Sequence, residues 1–138
     1  MAGALAAEAG ISSARDALRA WLDYLTNERR ASPRTVRAYG DGVAAYLNFL
    51  ERHRGETLTL KAMGEVSAAD IRAYLAHRRS GERPLSPRSV SQALSAIRTF
   101  HRFLDRRLDT PNAAIALVRG PRVKPGAPRP ARARLSPR

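Results

Sequence analysis

Apolar residues recur every three or four positions through most of residues 13 to 118, and no stretch alternates apolar with polar residues over the length of a strand. This period gathers apolar side chains on one face of a helix, so it predicts amphipathic helices. Four long helices and a short fifth are expected, at about 13–29, 33–54, 68–79, 87–107 and 112–118. The chain is therefore predicted to be all-α, a compact four-helix bundle with the short helix added.

Serine marks the start of three of these helices. A Ser-Pro pair lies near the start of both "ASPRTVRAY" (31–39) and "LSPRSVSQA" (85–93). Serine at the N-cap accepts a hydrogen bond from a backbone N–H, and proline at the first helical position has no N–H to lose. In the third helix, Ser67 and Asp70 fit a capping box. The repeated phrase thus predicts two helix starts and requires no internal duplication.

Charge is unevenly distributed along the chain. The 138 residues include 25 Lys and Arg against 12 Asp and Glu, a formal charge of +13, which favours a polyanionic partner such as nucleic acid. Residues 119–138 are basic, rich in proline and glycine and free of acids, so a disordered basic linker or tail is expected there. Residues 1–12 are expected to be a flexible N-terminus, and residues 13–118 to form the folded domain.

No pattern predicts catalysis or metal binding. The chain has no cysteine, which excludes disulfides, thiolate metal sites and a cysteine nucleophile. Its histidines are not at metal-ligand spacing, its carboxylates are scattered, and it has no glycine-rich phosphate loop. We expect no catalytic residue, metal, cofactor or small-molecule ligand. No apolar run approaches the roughly 20 residues of a membrane span, so a cytoplasmic protein without a membrane partner is expected.

The polar faces of the second and fourth helices carry the most distinctive side chains. At 100° per residue, Arg34 and Arg37 lie roughly 100–160° from the apolar face of the second helix. The matching side of the fourth helix is polar or basic and has no acid: Arg88, Ser91, Gln92, Ser95, Thr99, Arg102 and Arg106. Gln can pair with adenine and Arg with guanine, while Ser and Thr bond bases or phosphates. An ordinary solvated face is the alternative. His101 falls on the apolar side and is expected in the core.

Three segments carry a family resemblance. They read "WLDYLTNERRASPRTVRAYGDGVAAYLNFL", "VSAADIRAYLAHRR" and "LSPRSVSQALSAIRTFHRFL". In this order and spacing they resemble the N-terminal core-binding domain of bacterial tyrosine recombinases, of the Xer type and closer to XerC than to XerD. The segment "TPNAAIALVRGPRVKPGAPRP" is similar to the family's Asn-Pro-Ala segment and interdomain linker, although the order here is Pro-Asn-Ala.

The resemblance implies a SAM-like domain that forms half of a clamp around duplex DNA. Its second and fourth helices would face the major groove of a recombination half-site. By position, the resemblance implies DNA contacts from residues on both helices: Arg34, Thr35 and Arg37 on the second and Arg88, Ser91, Gln92 and Ser95 on the fourth. The outer face of the fourth helix adds Thr99 and Arg102 to these candidates.

The same resemblance bears on activity and partners. The family's catalytic residues lie in a C-terminal domain that this chain lacks, so the chain alone is expected to be inactive. A full-length relative would act in a synaptic tetramer with XerD-like partner recombinase protomers. The tetramer would carry out chromosome dimer resolution or DNA integration, and so serve chromosome partition at cell division.

Two other functions stay open at this point. The chain could be a stand-alone, non-catalytic DNA-binding module that competes for recombination sites, which its gene context would distinguish. It could also be a helical bundle whose basic face meets an acidic protein, in which case it would bind no duplex even at low salt.

Overall fold

The computed structural model describes residues 10–121, and within that range the chain is helical. It forms five α-helices and one 3₁₀-helix: α1 (Ala14–Asn27), α2 (Pro33–Arg54), α3 (Leu60–Gly64), α4 (Ala68–Ser80), α5 (Pro87–Leu108) and the 3₁₀-helix Ala113–Leu117. The described range has no strand, and its one isolated bridge pairs Ser13 with Thr59. None of the described helices combines the length and the apolar character needed to cross a membrane. The all-α prediction is confirmed.

The four long predicted helices are α1, α2, α4 and α5, each found within two residues of its expected bounds. Their serine caps are also present: Ser32, Ser67 and Ser86 each accept a hydrogen bond from the backbone N–H three residues on, at 3.0–3.1 Å. The Asp70 carboxylate completes the capping box by accepting from the Ser67 N–H at 3.0 Å. The short fifth helix is present as the 3₁₀-helix. The predictions for residues 1–9 and 122–138 lie outside the described residues.

The short helix α3 is not among the predicted elements. Thr59 caps it by accepting from the Ala62 N–H at 3.0 Å, and Met63 and the preceding Leu58 are fully buried. The Asn112 side-chain amide donates to the carbonyls of Met63 and Val66, both at 2.9 Å. Five residues make little more than one turn, so they show no helical period in the sequence. A helix this short is stabilised by the tertiary contacts around it.

Helix α5 lies at the centre of the bundle and contacts α1, α2 and α4. The predicted apolar residues of α5 are all buried, and four further ones extend its buried side: Ala96, Phe100, Phe103 and Leu108. Helix α2 crosses α5 where Gly42 faces Ala96, and a Cβ placed on this glycine would lie 3.7 Å from the Ala96 methyl. The small side chains at this point let the two helices approach each other closely.

The predicted apolar seam of α2 is displaced around the helix in the structure. Val43, Leu47 and Leu50 are fully buried as expected, whereas Val36 and Tyr39 are only half-buried. Tyr46 takes a central place instead, with none of its surface exposed. Helix α2 packs against both α1 and α5. The side of α2 that is buried is therefore set by the positions of these two helices, and it differs from the side on which the sequence places most apolar residues.

His101 is a core residue, as predicted. It is 2% exposed, and its Nε2 lies 2.9 Å from the Tyr46 hydroxyl. Burial lowers the pKa of His101 to about 4, so the ring is neutral at physiological pH. Burial also raises the pKa of Tyr46, which therefore keeps its phenolic proton. The pair places one neutral hydrogen bond inside an otherwise apolar core.

Replacing Ser67 by alanine is expected to lower the free energy of unfolding of the full chain by about 1 kcal/mol, because α4 loses its N-cap and half of its capping box. Urea denaturation followed by circular dichroism measures the change. The matched control is Ser80→Ala at the other end of the same helix, where the hydroxyl only donates to the exposed Ala76 carbonyl. Equal losses in the two variants would contradict a special role for the cap.

Acid is expected to destabilise the fold through His101. The unfolded ring takes up a proton as the pH falls through 6.5, whereas the folded ring does so only near pH 4. Between these values the unfolded state holds more protons, so stability is complete above pH 6.5 and is progressively lost toward pH 4. The loss amounts to something on the order of 3 kcal/mol. Urea denaturation across this range measures it.

The control for this pH dependence is a double variant, Tyr46→Phe with His101→Phe, which removes both partners of the buried hydrogen bond, so that neither is left without the other. Its stability is expected to vary less between pH 6.5 and pH 4 than that of the parent chain. An unchanged dependence would assign the acid sensitivity to other groups.

Candidate nucleic-acid interface

The outer side of α5 is a strip of polar and basic side chains. Arg88, Gln92, Ser95 and Arg102 are exposed, while Ser91 and Thr99 are half-buried. We call the strip formed by these six residues and Arg106 the α5 face. It is narrow because the rest of the helix is in contact with its neighbours. Every residue that was predicted for the fourth helix therefore lies on one continuous surface.

A cleft of about 360 Å³ opens beside this face, between α1, α2 and the second half of α5. No carboxylate lines it. The stacked rings of Trp21 and Tyr39, 5.8 Å apart and nearly parallel, lie along one side. The residues of its lining that carry hydroxyl or guanidinium groups are Tyr24, Thr35, Tyr39, Thr99, Arg29, Arg102, Arg106 and Arg107. This combination of donors without an acid suits an anionic oxygen, as in a phosphate.

The two threonines of the cleft differ in what they can offer. The Thr99 hydroxyl donates to the Ser95 carbonyl at 2.9 Å, so its hydrogen is already used. The Ser32 hydroxyl donates to Thr35 Oγ1 at 3.0 Å and accepts from the Thr35 N–H. Thr35 therefore keeps its own hydroxyl hydrogen and can donate it to a ligand.

The arginines of the cleft also differ. Arg107 is held in place, because its guanidinium bonds to both oxygens of Glu28 at 3.3 and 3.4 Å and lies 4.9 Å from the centre of the Tyr24 ring. Arg29, Arg102 and Arg106 form no ion pair within residues 10–121, where the ion pairs involve other cations: Arg15, Arg19, His53, Arg54 and Arg107. Among residues 10–121, these three guanidinium groups are therefore not neutralised by an ion pair.

The predicted residues of the second helix divide between two sides of α2. Thr35 lines the cleft with α5, together with Thr99 and Arg102. Arg37 lines a different groove, between α1 and α2, where Asp41 is its acidic neighbour. Arg34 is exposed in the first turn. The structure thus brings Thr35 next to residues of the fourth helix but places Arg37 on the far side of α2.

The other flank of the α5 face is bounded by the chain that follows the 3₁₀-helix. A Cβ placed on Gly120 would lie 3.6 Å from the Ser91 hydroxyl and 3.3 Å from Leu94. A second depression, of about 300 Å³, lies between α5 and the 3₁₀-helix and is lined by Arg98, Arg102 and Asp105 among others. Ser91 is accordingly half-covered, whereas Arg102 is accessible from both flanks.

Sequence reasoning missed Arg29 as a cleft residue and Arg98 as a neighbour of this surface. Arg29 lies inside the predicted helix 13–29, whereas α1 ends at Asn27 and Arg29 belongs to the connection that follows. Arg98 falls at the edge of the apolar side on a helical wheel. The described residues contain no group of three or more His, Asp or Glu side chains that could hold a metal ion.

Comparison with known proteins identifies relatives of this chain. Residues 18–107 match the family described as phage integrase, N-terminal SAM-like domain. Tyrosine recombinase XerC of Bradyrhizobium diazoefficiens is 40% identical over 110 residues, which cover 80% of this chain and 34% of that protein. The corresponding protein of Methylobacterium nodulans is 39% identical over 88% of this chain and 37% of its own length. That of Brucella suis is 33% identical over 90% of this chain and 38% of its own length.

The chain spans about a third of the length of the curated relatives that it matches. No solved structure is significantly similar to it.

Removing a charge from the α5 face is expected to stabilise the isolated chain. Arg102 lies one turn from both Arg98 and Arg106, and like charges at this spacing repel each other by roughly 0.2–0.5 kcal/mol per pair, while Asp105, three residues on, attracts Arg102 by a similar amount. Arg102→Gln should therefore raise the free energy of unfolding by about 0.3 kcal/mol at low salt, and the gain should vanish at high salt. Urea denaturation at two salt concentrations measures it.

Arg107→Gln is the matched control on the same helix. It removes the same charge but also the bonds to Glu28 and the contact with Tyr24, so no gain in stability is expected. A loss of stability in Arg102→Gln would instead reveal a structural contact for Arg102.

Proposed function

This chain belongs to the phage-integrase N-terminal SAM-like domain family, and we propose that it is the DNA-binding, core-binding domain of a Xer-like site-specific tyrosine recombinase. The observation that carries the proposal is the acid-free surface made by the α5 face and the adjoining cleft. A solvated helix face without a partner usually mixes acids with bases, whereas a surface that binds a polyanion gains from excluding acids.

The proposed geometry places α5 in the major groove of the duplex. The groove is wide enough for one α-helix, and Arg88 and Gln92 in the first turns of α5 have the side chains that pair with guanine and adenine. Ser95 lies one turn further on and can bond a base or a phosphate. The first half of α5 is therefore assigned to sequence recognition.

The cleft beside the second half of α5 is assigned to the DNA backbone. Thr35 offers a free hydroxyl hydrogen, and Arg29, Arg102 and Arg106 offer charges that no carboxylate neutralises. Phosphate contacts fix the position of a protein on the duplex and supply most of its salt-dependent affinity. In this arrangement the cleft sets the register at which the first half of α5 meets the bases. Arg34 reaches the backbone from the start of α2, and Arg37, on the far side, contributes only long-range attraction.

The complete protein is proposed to act as a recombinase. Its catalytic residues would come from a further domain, and its partners would be duplex DNA and neighbouring recombinase protomers in a synaptic assembly. We propose chromosome dimer resolution or DNA integration as its reaction, carried out in the cytoplasm.

A single binding experiment tests the DNA-binding role. The 138-residue chain is titrated against a chromosome-dimer-resolution half-site and a scrambled duplex at several salt concentrations, with fluorescence anisotropy as the measurement. Gln92→Ala is expected to weaken binding to the half-site by about 1–3 kcal/mol and binding to the scrambled duplex much less, because a base contact is lost. Arg102→Gln should weaken both equally and lower the log–log salt slope by about 0.9, because a phosphate contact is lost.

The control is Arg19→Gln, which removes the same charge from an exposed position of α1 where Arg19 pairs with Asp16. Its binding and salt slope should match those of the parent chain. Equal losses on both duplexes for Gln92→Ala would restrict that residue to a non-specific contact. If the parent chain bound neither duplex at low salt, the DNA-binding role would be wrong and an acidic protein partner would be favoured.

A further inference from the structure

The chain leaves the domain along a fixed path. At the end of the 3₁₀-helix, two arginines on different helices donate to consecutive backbone carbonyls: Arg72 of α4 to Leu117 at 3.1 Å and Arg98 of α5 to Val118 at 2.6 Å. We call these the exit bonds. Val118 is fully buried, whereas the Leu117 side chain is 65% exposed. The position of this segment therefore depends on its backbone and on one buried side chain.

The path runs back along α5 toward its first turns. Val118 is bonded to Arg98, and two residues later Gly120 packs against Leu94 and Ser91. Glycine suits this place because a Cβ would already lie 3.3 Å from the Leu94 side chain. The segment thus covers one flank of the α5 face, on the opposite side from the cleft.

Arg119 lies between these two anchored residues. Its neighbours Val118 and Gly120 are both in contact with α5, and Arg119 itself is exposed. Its charge is therefore held beside the half of α5 that contains Ser91, rather than carried on a free chain end. The cleft on the other flank is lined by arginines and by no acid. Arginines therefore lie on both sides of the α5 face.

We propose that Arg119 is a further DNA-contacting residue and that the exit bonds are the device that positions it. The inference rests on the proposed DNA-binding function. In this role Arg72 and Arg98 are positioning residues. Their guanidinium groups donate hydrogen bonds to backbone carbonyls, and these bonds keep Arg119 against the same duplex that α5 enters. Arg119 neutralises one backbone phosphate on the flank opposite the cleft, so the duplex is held from both sides of α5.

The experiment is a thermodynamic cycle on the full chain. Arg119→Gln is measured in the parent chain and in a variant that lacks the exit bonds, Arg72→Met with Arg98→Met, which keeps the apolar stems of both side chains. The log–log salt slope for a duplex is expected to fall by about 0.9 when Arg119 is replaced in the parent chain. No further fall is expected when it is replaced in the variant without exit bonds. Arg19→Gln serves again as the charge control.

Trypsin cleavage after Arg119 gives an independent readout of position. Cleavage of the parent chain at this bond is expected to slow at least several-fold when duplex is added, and cleavage of the variant without exit bonds to be faster and insensitive to duplex. If the double variant does not fold, as judged by circular dichroism, Arg72→Met alone replaces it, since that change leaves α5 intact.

The outcomes separate the two proposals. Failure of the parent chain to bind any duplex would overturn the DNA-binding function itself. Binding by the parent chain with an unchanged salt slope in Arg119→Gln would overturn only the role of Arg119. An equal fall in slope with and without the exit bonds would show that Arg119 contacts DNA from a mobile chain, and would overturn the positioning role of Arg72 and Arg98.

Discussion

The burial of α5 is the constraint on which the rest of the structure depends. Its apolar side chains extend over about half of the helix circumference, from Leu94 on one flank to Phe103 on the other, and they supply the surface against which α1, α2 and α4 pack. The side left to solvent carries most of the polar side chains of this helix, whereas Arg98, Asp105 and Arg107 lie at its flanks. The gathering of polar side chains on one side is thus a direct result of how the core is built, and it needs no additional element to present it.

The fold was predictable from sequence as far as local chemistry determines it. The long helices follow from apolar periodicity and their starts from serine caps such as Ser32 and Ser86, because both signals act within a few residues. Helix α3 and the central place of Tyr46 could not be found this way. Each depends on residues far away in the chain: α3 on Asn112, and Tyr46 on His101.

The candidate site was predictable as a set of residues but not as an arrangement. Thr35 and Arg37 are both polar residues at the start of α2, yet they are two positions apart and so lie on opposite sides of the helix, against different neighbours. Which of them meets α5 is decided by the packing of α2 between two helices. Arg29 shows the same limit, since it joins the cleft from beyond the end of α1.

Asn112 has a consequence for how the domain is made. Its side-chain amide binds two carbonyls that precede it by 49 and 46 residues, and its side-chain oxygen accepts from the Ala114 N–H at 2.8 Å. During synthesis the chain emerges from its amino end, so the turn at α3 and the start of α4 must wait for these bonds until residue 112 has left the ribosome. The last segment of the domain to be translated therefore supplies the hydrogen bonds that complete its middle, at the carbonyls of Met63 and Val66.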